Sequence, residues 1–108
     1  LSLFMGGGSG DFADAITLPA LESPRSIRVA DLDCDGDLDL VVTNRDVDTT
    51  STYLNDGAGS FVGPHPHRTR FRPLGLDVAD LDGDALLDIV VTGHDGDDLT
   101  ILHNVARR

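Results

Sequence analysis

The feature that most constrains this chain is that it repeats itself at an offset of 49 residues. Laid on itself without a gap, Val29 to Thr43 falls on Val78 to Thr92, and 11 of the 15 pairs are identical. The match continues outside that block, with Phe12 on Phe61, Pro24 on Pro73, Asp46 on Asp95, Asp48 on Asp97 and Asn55 on Asn104. A period of roughly 20 to 50 residues marks solenoids, propellers and arrays, in which each unit buries its apolar face only by stacking on a neighbour. The chain thus reads as one repeat region over residues 1–108, with approximate units 1–23 (partial), 24–72 and 73–108 (partial).

Each unit carries the same chemistry at the same place. Asp31-Leu32-Asp33-Cys34-Asp35-Gly36-Asp37-Leu38-Asp39 packs five carboxylates into nine residues and runs straight into Leu40-Val41-Val42. Aspartates at the first, third and fifth positions of a tight loop can turn short carboxylates inward. The seventh position can offer a backbone carbonyl, and Asp39 at the ninth can close the shell. Such an all-oxygen cage suits a hard cation with six to eight ligands, and calcium fits it better than magnesium, which holds to an octahedron and keeps its waters. The alternative is an acidic surface turn without metal, which would leave the carboxylates to repel one another.

Strand signals surround the loops. Ile27 and Val29 alternate with Ser26, Arg28 and Ala30, predicting a first strand, and Leu40-Val41-Val42 predicts a second covered on both faces. A turn at Asp46-Val47-Asp48 leads to a third strand over Thr50 to Leu54. Asn55-Asp56-Gly57-Ala58-Gly59 then tolerates the positive φ needed to reverse the chain into a fourth strand at Phe61. Four strands in about 40 to 50 residues is the arithmetic of a propeller blade. The expected fold is all-β: about two blades of four antiparallel strands, a fragment of a propeller or a protomer that completes one by oligomerising.

Val29 to Val42, followed by Tyr53-Leu54-Asn55-Asp56-Gly57-Ala58-Gly59-Ser60-Phe61, resembles the FG-GAP/VCBS repeat family, which includes the integrin α-subunit head. The resemblance implies propeller blades with calcium held in a hairpin loop of each. It would make Asp31, Asp33, Asp35 and Asp39 side-chain ligands and Asp37 a carbonyl ligand. In the second unit Asp80, Asp82, Asp84 and Asp88 would supply side chains and Leu86 its carbonyl. Two departures stand out: Cys34 where the second unit has Gly83, and Ala85 where the first has Gly36. If position 85 needs a left-handed backbone, its Cβ costs about 1 kcal/mol or more, so the second loop is expected to bind more weakly.

Composition excludes several classes. The net charge of −11 comes from 18 Asp and one Glu set against eight Arg and no Lys. That balance argues against a phosphate-backbone partner, whose binding depends on cationic side chains. A single cysteine, Cys34, makes no internal disulfide, so calcium would be the staple. No apolar run approaches a membrane span, and no signal peptide opens the sequence, which begins at Leu1 and reads as cut from something longer or processed. Loops of micromolar to millimolar affinity fill most reliably outside the cell, so a secreted, cell-surface or periplasmic setting is expected.

Other motifs carry less. An EF-hand needs an acid at position twelve, where Val42 and Val91 stand. The glycine run Gly6-Gly7-Gly8-Ser9-Gly10-Asp11 occurs once and aligns with the turn at Asn55, which sets aside a calcium-binding β-helix. Pro64-His65-Pro66-His67 reads as a solvated loop between blades, lacking a third ligand for a transition metal. His94 and His103 have no metal-ligand spacing and read as ordinary loop or strand positions. Carboxylates flank Cys34, the opposite of the electropositive setting an activated thiol needs. Arg68, Arg70 and Arg72 would share one face of a strand. They either balance the acidic charge on an edge strand, the preferred reading, or meet an anionic partner such as an acidic glycan or a carboxylate-bearing protein.

The functional expectation is a non-enzymatic, calcium-binding module for extracellular protein or glycan binding and adhesion. Its neighbours would be further blades of the same chain or a homo-oligomer. The alternative is a part, catalytic or not, of a secreted propeller enzyme such as a lyase or hydrolase.

Overall fold

The computed structural model describes residues 1–69, 72–93 and 99–105, in which strands are joined by turns, irregular segments and a single 3-10 turn at Arg45–Val47. Among the described residues, nine strands form three antiparallel sheets: β1 (Ser2–Leu3) with β2 (Ile16–Thr17); β3 (Pro24–Ala30), β4 (Asp39–Asn44), β5 (Thr49–Asn55) and β6 (Phe61–Arg68) in sequential order; and β7 (Pro73–Ala79), β8 (Asp88–Gly93) and β9 (Leu99–Leu102). The middle sheet is the four-stranded meander of a blade. Among the described residues no sheet closes into a barrel.

The sequence offset is also the register offset. Val29 pairs with Leu40 and Ala30 with Asp39; 49 positions on, Val78 pairs with Ile89 and Ala79 with Asp88. Leu40 opposite Tyr53 recurs as Ile89 opposite Leu102. The short β1–β2 pair obeys the same rule, since Ser2 opposite Thr17 anticipates Ser51 opposite Pro66. β1 and β2 therefore hold the third-strand and fourth-strand positions of a preceding unit.

Burial follows from stacking. All six residues of β4 are buried, and because side chains alternate across a strand, its apolar run serves two cores. Leu40 and Val42 join Tyr53 against Leu1, Leu3, Leu18 and Phe61. Val41 faces the other way and joins Leu32 against Leu76, Ile89 and Val91 of the next sheet. Tyr53 ties the first of these cores to β2's flank by donating its hydroxyl to the Pro19 carbonyl at 2.7 Å. Ile27 and Val29 remain 44% and 54% exposed, whereas Leu76, one repeat after Ile27, is 6% exposed. Residue type does not explain that difference; the presence of an adjoining sheet does.

Two expectations for the outer region are corrected. Pro64-His65-Pro66-His67 is not a loop but lies within β6, with His65 opposite Thr52 and Pro66 opposite Ser51. β6 is an edge strand of its sheet, and prolines two apart direct their missing donors to the same side, which at an edge can be the unpaired one. The arginine stripe does not lie along one strand either. β6 ends at Arg68, and Arg72 has a left-handed φ of 52° with its amide donating to Asp48 Oδ1 at 2.8 Å. Arg70 and His94, like Asp95 and Asp97, lie outside the described residues.

Candidate metal centre

Both acidic loops connect the first two strands of a sheet, Asp31 to Leu38 between β3 and β4 and Asp80 to Leu87 between β7 and β8. In each, the first aspartate folds the loop around itself. Asp31 accepts the amides of Asp35 at 3.2 Å and Gly36 at 2.9 Å. Asp80 accepts those of Gly83 at 2.8 Å, Asp84 at 3.2 Å and Ala85 at 2.9 Å. Next, the fifth-position aspartate accepts the amide two residues on: Asp35 from Asp37, and Asp84 from Leu86, both at 2.9 Å. Short side chains are required for such contacts, which accounts for the use of Asp rather than Glu.

The ninth-position aspartate is different in kind. Asp39 and Asp88 are fully buried. Asp39 accepts from the Leu32 amide and the Asn55 amide, each at 2.8 Å; Asp88 accepts from Leu81 at 3.0 Å and Asn104 at 2.9 Å. One carboxylate thus joins the start of the acidic loop to the end of the third strand. Two backbone donors are satisfied by it in each hairpin, the buried Leu32 amide among them, and leaving a buried donor unpaired is costly.

These side chains converge. Carboxylate oxygens of Asp31, Asp33, Asp35 and Asp39 lie within 4.8 Å of one another, as do those of Asp80, Asp82, Asp84 and Asp88. Asp37 and Leu86, expected to contribute carbonyls only, stand outside both side-chain clusters. Electrostatics divides each loop. The Gly36 amide, foremost, holds Asp31 below the usual carboxylate range, and the Ala85 amide does the same for Asp80. Partial desolvation, then the neighbouring Asp35 and Asp39 carboxylates, pushes Asp33 up to about 6. Asp82 is also raised, chiefly by its contact with Asp84. Crowded negative charge is the property that a bound divalent cation would relieve.

The backbone does not rank the two loops as glycine content suggested. Ala85 is left-handed at φ 70°, as expected from Gly36 at 89°. However, Cys34 is also left-handed, at φ 61°, where Gly83 has 76°. Each loop therefore contains one left-handed glycine and one left-handed residue with a Cβ, so this strain gives no reason for weaker binding at the second. The two strained residues adjoin across the sheets, Cys34 Sγ lying 3.9 Å from the Ala85 carbonyl oxygen.

His103 is the residue that reading the sequence missed. Its Nδ1 lies 3.8 Å from Asp82 Oδ2 and 3.9 Å from Asp88 Oδ1. Carboxylate neighbours were absent from its sequence surroundings, but the register supplies them: Ile89 pairs with Leu102, so position 103 follows on opposite 88.

The family model of the FG-GAP-like repeat matches residues 1–42 and 35–91. The chain belongs to the FG-GAP-like repeat family. This agrees with the blade-like middle sheet and with the 49-residue recurrence of loop, strand and register. No curated protein and no solved structure gives a significant match. Among the described residues, no helix is long and apolar enough to cross a membrane.

Proposed function

We propose that this chain is a calcium-stapled propeller repeat module, with calcium structural, that serves protein or glycan binding outside the cell. The observation that carries the reading is the recurrence of four converging carboxylates in both units at equivalent positions. In each loop one of the four is the buried aspartate that links the loop to the third strand. The four carboxylates fit calcium, being all-oxygen and short-armed, and a seventh-position backbone carbonyl would complete the set. Ions at Asp31, Asp33, Asp35 and Asp39, and at Asp80, Asp82, Asp84 and Asp88, would neutralise the crowded charge. They would also fix the loops that adjoin at Cys34 and Ala85. An extracellular setting supplies calcium at the concentrations such loops need. The binding partner would engage surfaces beyond the staple itself.

A ligand that binds only the folded state stabilises it by about 2.7 kcal/mol per site at a hundredfold excess over Kd. For a domain of this size that shifts the melting temperature by roughly 10 °C or more. Protein stripped with EDTA should therefore melt well below the same protein in millimolar calcium, with magnesium a poor substitute. Identical melting curves with and without calcium would retire the staple.

A further inference from the structure

The two acidic loops differ in what surrounds them. At the seventh position the first has Asp37 and the second Leu86; just beyond the third strand's core pair the first unit has Leu54 and the second His103. The second loop has exchanged a nearby carboxylate for an imidazole. That imidazole points its Nδ1 at two members of the cluster, and the ligand atoms of Asp82, Asp88 and His103 all lie within 4.8 Å of one another. Calcium takes oxygen ligands, whereas imidazole nitrogen suits zinc and its neighbours in the first transition row.

We propose that the second loop accepts a transition dication, zinc being the probe, through His103 Nδ1 with Asp82 and Asp88, while the first remains an all-oxygen site. The inference rests on the reading that the acidic loops are cation sites. Bonds of about 2.0–2.2 Å place two ligand atoms of a tetrahedral zinc ion about 3.3–3.5 Å apart. The observed separations of 3.8 and 3.9 Å exceed this by less than an ångström. Buried Asp88 is held by the Leu81 and Asn104 amides, whereas the side chains of His103 and Asp82, 58% and 45% exposed, can make up the difference. The imidazoles of His65 and His67 on β6 and the exposed Cys34 thiol are competing zinc ligands elsewhere in the described chain.

The test is calorimetric titration of the EDTA-stripped chain with zinc alone and with calcium alone. It compares the native protein with His103→Leu, which installs the residue found at position 54, and with His103→Gln, which guards against a folding defect. Asp33→Ala serves as a control in the first loop. Zinc affinity should fall roughly tenfold or more in both His103 variants and be unchanged by Asp33→Ala, with calcium still binding the first loop of the His103 variants. Zinc bound equally well without His103, or no zinc bound by the native chain, overturns the inference. Calcium binding without zinc leaves the staple standing and removes this site; His103-dependent zinc binding without calcium does the reverse.

Discussion

The first and second acidic loops share a frame and differ in their fittings. The buried aspartate, the folded-back first aspartate and the strand register recur 49 residues apart. The left-handed glycine, the seventh residue and the neighbour on the third strand do not. What recurs is what holds the hairpin together, and what varies is what tunes the cluster. The hydrogen bonds of Asp39 and Asp88 would therefore be needed with or without an ion, which makes them part of the fold before they are part of a site.

The largest expected effect tests that division. In calcium-free buffer, Asp39→Ala strips two backbone donors of a charged acceptor at about 1.5–3 kcal/mol each, a total loss of about 3–6 kcal/mol by denaturant unfolding. Asp88→Ala should cost less, because its three-stranded sheet packs against a described neighbour on one side only. Equal losses would show that the adjoining sheets do not set the importance of the keystone.

A smaller effect sharpens the comparison of strain. Cys34→Gly and Ala85→Gly should each stabilise the apo protein by about 1 kcal/mol, since each replaces a left-handed residue bearing a Cβ. Gains confined to Ala85→Gly would restore the expectation that the second loop is the defective one.

The smallest effect is in pH dependence. The Asp33 carboxyl stands at about 6 in the folded chain against 3.8 ordinarily, so folding favours its protonated form. Its contribution is fully present below the unfolded value and is lost as pH rises through about 6. Asp82 contributes in the same direction. Calcium-free protein should therefore lose stability between about pH 4 and pH 7 on account of these groups, and Asp33→Asn should flatten the slope. An unchanged slope in Asp33→Asn would mean that the carboxylates are not crowded.

Much of this was legible in the sequence for a physical reason. The repeat fixes which positions are equivalent, and alternation within each unit fixes which face inward, so blade, loop and hairpin followed from local pattern. What escaped depends on neighbours distant in the chain. His103 comes beside Asp88 only through β8–β9 pairing, although continuing the repeat register from the first unit would have placed it there. Prolines 64 and 66 read as a loop because an edge strand tolerates what a central one does not. Cys34 concealed a left-handed position because its residue type does not announce one, while Gly83 at the equivalent site does. The exposure of Ile27 and Val29 is set by which sheet adjoins them, a fact no single unit contains.

The most direct test of the central claim is a crystal structure of the chain grown in calcium, with an anomalous difference map to locate the ions. One peak should be enclosed by Asp31, Asp33, Asp35 and Asp39, and a second by Asp80, Asp82, Asp84 and Asp88. Well-ordered loops without a peak at saturating calcium would contradict the claim, leaving a repeat fold whose acidic hairpins are closed by Asp39 and Asp88 alone.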